Sequence, residues 1–167
     1  MSLVQLLFIA QPEQLIYLAV FILLLICSAL ISGAEVALFS LSNSELEDPD
    51  PSFPRQAMVA KLLERPKKLL ATILIANNAI NITSVLIFSI LAEVWFSGLE
   101  SEVIRFILEV GFVTFLILLF GEIFPKVYAN RNPKGFANFM AIPINILDKL
   151  FSFMSLPMRY VTLQIQD

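Results

Sequence analysis

Three long apolar runs organise this chain. The first extends from about Leu15 to Leu41 and has Glu35 as its only charge. The second runs from about Leu69 to Phe96 and carries Asn77, Asn78, Asn81 and Glu93. The third runs from about Val103 to Phe120, with Arg105 and Glu109 near its start and GEIFPK at its end. A helix needs roughly 17–25 mostly apolar residues to cross the hydrocarbon of a bilayer, so each run predicts a membrane-spanning helix. The polar stretch after the first run contains Pro49, Pro51 and Pro54, which break any helix there. Residues 52–64 predict a short amphipathic helix on the membrane surface, and SGLESE a tight acidic loop before the third run.

Past Asn132-Pro133 the pattern changes. The stretch is apolar, but Pro143, Asp148, Lys149, Pro157 and Arg159 interrupt it. A fourth span and interfacial helices over about 133–165 are both open. Charges recurring at short intervals favour the interfacial reading, with Phe and Met in the lipid and Lys149 and Arg159 reaching headgroups. The first ten residues, MSLVQLLFIA, lack a basic region, so they predict a short interfacial segment rather than a cleaved signal.

Basic residues set the orientation. Arg55, Lys61, Arg65, Lys67 and Lys68 lie between the first two runs, and Lys126, Arg131 and Lys134 follow the third. No Lys or Arg precedes the first run, and Arg105 alone faces Glu93, Glu100, Glu102 and Glu109 around the second loop. The N-terminus is expected outside and the C-terminus in the cytoplasm, which requires an odd number of spans. The expected fold is therefore an all-α membrane protein with three transmembrane helices, juxtamembrane helices and a cytoplasmic interfacial helix.

Composition narrows the chemistry. Hydrophobic residues make up 58% and charged residues 15%, against usual values of about 45–50% and about 25%. Lipid is the first expected partner. The net charge of −3 offers no basic surface for nucleic acid. Histidine is absent, which removes the usual base of Ser-His and Cys-His catalysis. The single cysteine, Cys27, can form neither an intrachain disulfide nor a typical zinc site, and reads as a small buried hydrophobe. An intramembrane hydrolase is not expected either, because no second acid is paired with Glu122 by a recognisable motif. The chain is not expected to be an enzyme.

Polar side chains inside the apolar runs are expensive. Insertion scales give about 2.5–3.5 kcal/mol for Asp or a basic residue at mid-helix. Three clusters stand out. Ser28, Ser32 and Glu35 share a helical face at spacings of four and three, with Gly33 permitting close approach or a local break. Asn77, Asn78 and Asn81 give the second run an amide face, with Thr83 and Ser84 just beyond. Gly121, Glu122, Pro125 and Lys126 predict the end of the third helix, with carbonyls left without helical partners and Lys126 paired with Glu122 or snorkelling. Hydroxyl, amide and carboxylate oxygens without nitrogen or sulfur donors suit Mg²⁺, Ca²⁺ or Na⁺. The alternative is that these small and polar residues pack helices together.

SGAEVAL, ANNAIN and GEIFPK, in this order and followed by NPKGFA, resemble the signature segments of the transmembrane domain of the CNNM/CorC family of magnesium transport proteins. AEVAL departs from the more usual SETAL, and SGAEVALFSLS is similar to the bacterial gliding-motility branch. The resemblance implies a homodimer in the bacterial inner membrane, a cytoplasmic belt-like helix, and CBS domains following residue 167 in a longer chain. It also implies Mg²⁺ bound between the helices and exchanged with Na⁺. Its side-chain ligands would be Ser32, Asn77, Asn81 and Glu122, supported by Ser28, Gly33, Asn78, Gly121, Pro125 and Lys126. The gliding-motility likeness keeps a second function in view: a dimeric membrane anchor for cytoplasmic regulatory domains or a motility or secretion complex.

Overall fold

The structure, a computed structural model, describes residues 12–164, with side chains through Phe151. The expectations for residues 1–10 and for the Arg159 side chain lie outside the described residues. Helix α1, Pro12–Phe39, opens on a proline, whose fixed φ suits the first helical position. It closes where the Ser40 hydroxyl donates to the Val36 carbonyl at 2.6 Å. Helix α2, Asn43–Glu47, is held by a capping box in which Ser42 and Glu45 exchange side-chain and backbone bonds. Helix α3, Gln56–Leu63, begins after Pro54, four residues later than expected at 52. Helix α4, Pro66–Trp95, again starts on a proline.

Helix α5, Glu102–Leu116, does not end at the Gly121–Pro125 segment. It passes through a π-helical turn, Ile117–Ile123, and continues as α6, Phe124–Arg131. The expected break is therefore corrected to a widened turn. In a straight α-helix the Pro125 ring would strike the carbonyl four residues back. Here the Phe124 N–H bonds the Leu119 carbonyl five residues back instead. A clean break would leave backbone groups unpaired where lipid supplies no partners, whereas a π turn keeps them bonded. Helix α7, Pro133–Gln164, is one helix that runs through Pro143. Asn132 caps it by accepting from the Gly135 N–H at 3.1 Å.

Among the described residues three helices are long and apolar enough to cross a membrane: Pro12–Phe39, Pro66–Trp95 and Glu102–Arg131. The chain is an all-α membrane protein. α7 is not among those three. Its Ala137, Met140, Ala141 and Ile144 are buried at helical spacing, while Phe139, Ile142, Ile146 and Leu150 are exposed. Such a helix presents one apolar stripe to protein and another outward.

The chain divides into two compact units, which cut across the long helices. One comprises the chain up to Ala29 with Asn78–Phe124. Its core centres on the fully buried Phe88, packed with Phe21, Leu91, Val113 and Ile117. The Phe88 ring lies 5.3 Å from Phe21, 5.8 Å from Phe112 and 6.0 Å from Trp95, in tilted or edge-on arrangements that aromatic quadrupoles favour. Cys27 is half-buried rather than buried.

The other unit comprises Leu30–Asn77 with the chain from Pro125 onward. Here α3 packs on α7, and polar braces fix the segments that join them. The Arg55 guanidinium donates to the Asn138 carbonyl at 2.8 Å, and its backbone N–H to the Asn138 side chain at 3.0 Å. Lys134 pairs with Asp50 at 3.1 Å and Glu45 at 3.7 Å. The Ser52 hydroxyl and backbone N–H, then Lys134, hold the Asp50 carboxyl down from its ordinary 3.8 to about 2. A depressed carboxylate contributes its stability above its ordinary pKa and loses it as pH falls through the folded value. This brace should therefore stay intact down to about pH 4 and fail between there and about pH 2. A carbon-13 titration of the Asp50 carboxyl should show the low midpoint, and Ser52→Ala should move it back toward 3.8. A midpoint that Ser52→Ala leaves in place would rule the hydroxyl out as the cause.

Candidate functional site

Helices α1 and α4 and the π turn each contribute to one hydrogen-bonded chain. Ser28, fully buried on α1, donates its hydroxyl to Asn81 Oδ1 at 2.7 Å. Asn81, half-buried on α4, donates Nδ2 to Glu122 Oε1 at 3.3 Å. Glu122 sits on the π turn beside Gly121. A Cβ at Gly121 would lie 2.9 Å from Ser28 Oγ, so glycine there leaves room for the hydroxyl that orients the amide. Each oxygen keeps capacity to spare: an amide oxygen has two lone pairs, and a carboxylate about four acceptor positions. Among the described residues no Lys or Arg is paired with Glu122.

Ser32 and Asn77 belong to the other unit, one helical turn along α1 from Ser28 and one turn along α4 from Asn81. Ser32 is fully buried, and its hydroxyl has no hydrogen-bond partner among the described residues. An unsatisfied buried hydroxyl costs about 1–3 kcal/mol, so it fits a group that a bound cation would engage. Asn77 is half-buried.

The remaining candidates separate. Asn78 is exposed, and the structure does not bring it into the Ser28–Asn81–Glu122 chain. Thr83 and Ser84 donate to carbonyls of their own helix, at 2.8 Å to Ala79 and 2.9 Å to Ile80, which satisfies them without a ligand. Gly33 acts through close approach, not a break. A Cβ there would meet Phe136 Cζ at 2.6 Å, so the glycine seats the α7 ring directly on α1. The structure pairs Lys126 with Glu35 at 3.2 Å, where sequence spacing pointed to Glu122 or to snorkelling. The Gly33–Phe136 and Glu35–Lys126 contacts were invisible to spacing arguments, since their partners lie about a hundred residues apart.

No group of three or more His, Cys, Asp or Glu side chains gathers among the described residues. Any ion held here would meet one carboxylate and neutral oxygens, a set suited to hard cations.

Comparison with known proteins adds the family. The cyclin M transmembrane N-terminal domain, CNNM, matches residues 19–166. The chain belongs to this family. The resemblance carried by SGAEVAL, ANNAIN and GEIFPK is thereby borne out, and the chain is a CNNM-type membrane domain. A UPF0053 protein of Haemophilus influenzae is 34% identical over 135 residues, covering 78% of this chain and 31% of that protein. The UPF0053 inner membrane protein YfjD of Escherichia coli is 30% identical over 124 residues, covering 72% of the chain and 28% of that protein. A UPF0053 protein of Synechocystis is 31% identical over 135 residues, covering 80% and 37%. The chain thus spans about a third of the length of these relatives.

Proposed function

We propose that this membrane domain binds Mg²⁺ through oxygen donors of its spanning helices and carries it across the bilayer, in exchange with Na⁺. The observation that supports this most is Glu122. It is a carboxylate inside an apolar 30-residue helix, bonded by the neutral Asn81 amide and with no basic partner among the described residues. A carboxylate in that setting favours a cation for its charge. Asn81 and Glu122 would be ligands, with Ser32 and Asn77 as the further donors implied by the family resemblance. Ser28 and Gly121 would hold Asn81 in place.

The wider setting follows from the same reading. The N-terminus would be outside and the C-terminus in the cytoplasm of a bacterial inner membrane, the location printed for the Escherichia coli relative. CBS domains would follow in the longer protein. A homodimer is supported by Asn78, an exposed amide within a spanning helix, which is best accommodated when another chain covers it.

The test is ion flux. The full-length protein in proteoliposomes loaded with a Mg²⁺-sensitive dye should give a signal on an imposed Mg²⁺ gradient, and Asn81→Ala should abolish it with incorporation unchanged. Silence from the unmutated protein would sink the transport reading. Dissociation of the dimer by Asn81→Ala whether or not Mg²⁺ is present would instead support the membrane-anchor function.

A further inference from the structure

A second polar feature lies away from the Ser28–Asn81–Glu122 chain. A cavity of about 590 Å³ opens between α3 with its following turn, the start of α4, and α7. Four cations line it, Lys61, Arg65, Lys68 and Lys149, against two acids, Glu64 and Asp148. Asp148 is already engaged: Lys68 reaches it at 2.7 Å and Thr72 donates to it at 3.4 Å. Lys61, Arg65 and Lys149 enter no ion pair among the described residues. The cavity therefore carries an excess of positive charge, three of its cations being without an ion-pair partner among the described residues.

We propose that this cavity binds the phosphate headgroup of an anionic glycerophospholipid from the surrounding bilayer. Charge complementarity points to a phosphate, for which guanidinium and ammonium groups are the usual partners. Position selects a lipid over a soluble phosphate. Lys68 is the third residue of α4, a helix able to cross the membrane, so the cavity stands where that helix leaves the polar boundary. The wall also contains Met58 and Leu62, which suit a glycerol backbone. On the same two helices, Leu70 and Leu74 of α4 and Ile146 and Leu150 of α7 are exposed apolar side chains, close in sequence to the lining residues Lys68, Asn145, Asp148 and Lys149, along which acyl chains can lie. Basic pockets at the ends of membrane helices recognise anionic headgroups by this combination. The inference needs only the membrane placement of α4 and is independent of any ion at Glu122.

The experiment measures thermal unfolding of the detergent-purified full-length protein against added phosphatidylglycerol, phosphatidylcholine or inorganic phosphate. Phosphatidylglycerol should stabilise it saturably, and the other two should not. Each headgroup-facing cation is worth about a five-fold change in apparent affinity, so Lys61→Gln with Arg65→Gln should weaken phosphatidylglycerol by about 25-fold. Arg65→Lys should retain most of the affinity, which guards against a misfolded variant. Lys67→Gln, a neighbouring charge that does not line the cavity, should change it less than about two-fold. Equal stabilisation by phosphatidylcholine, reproduction of the effect by inorganic phosphate, or an equal loss in Lys67→Gln would each overturn the proposal.

Discussion

Glu122→Gln should abolish the rise in unfolding temperature expected of the proposed Mg²⁺ binding, while leaving the Mg²⁺-free protein folded. Glutamine keeps the shape and retains a carbonyl to accept from Asn81 Nδ2, so the hydrogen-bonded chain from Ser28 survives. What disappears is the one negative charge among the proposed donors. A ligand present at a hundred times its dissociation constant stabilises a folded state by about 2.7 kcal/mol. Removing the carboxylate should erase nearly all of that, because the remaining oxygens are neutral and Mg²⁺ gives up its hydration shell reluctantly. Thermal unfolding followed with and without Mg²⁺ reads the effect directly. An undiminished Mg²⁺ shift in Glu122→Gln would show that the ion, if bound, does not depend on this carboxylate.

Gly33→Ala should destabilise the protein, against the ordinary trend. In an unconstrained helix interior alanine is better than glycine by about 0.8–1.0 kcal/mol. Here the added methyl would lie 2.6 Å from Phe136 Cζ and 2.9 Å from Cε1, with Gly33 itself buried. Overpacking of this kind costs about 1–3 kcal/mol, enough to reverse the sign, and Gly33→Val should cost more. The sign is the test. Combining Gly33→Ala with Phe136→Ala should recover part of the loss in a double-mutant cycle, since the ring is the obstacle. A stabilised Gly33→Ala would mean that Phe136 swings aside freely and that the contact between α1 and α7 is loose.

The three spans were legible because hydropathy is a property of consecutive residues. Their ends were less so. Pro12 and Pro66 open α1 and α4 at positions that hydropathy counts as unfavourable, although proline suits the first helical turn. The third span was read as stopping near Phe120 because Gly121 and Pro125 are helix breakers in water. Inside an apolar helix the backbone instead stays paired by widening to a π turn. Within the candidate site, the helical spacing of Ser28 with Ser32 and of Asn77 with Asn81 was visible along the chain. The bonds that join Ser28 to Asn81 and Asn81 to Glu122 cross 53 and 41 residues, distances over which periodicity carries no information. For the same reason spacing offered Lys126 only its neighbour Glu122 or the membrane surface, while its partner in the folded chain is Glu35 on another helix.

Because the third span continues through the π turn, Glu122 lies inside it rather than at its end. The third span carries its opening charges, Glu102, Arg105 and Glu109, in its first turns, and Glu122 follows twelve residues after Val110. At a helical rise of about 1.5 Å per residue that places the carboxylate about 18 Å along the helix, in hydrocarbon about 30 Å thick. A group at that depth stands well within the electric field of an energised membrane. One charge moved across the whole membrane exchanges about 2.3 kcal/mol per 100 mV. A divalent ion travelling roughly half the field to reach Glu122 would therefore exchange about as much, or nearly fifty-fold in occupancy. Voltage, alongside concentration, would then govern when this carboxylate is filled.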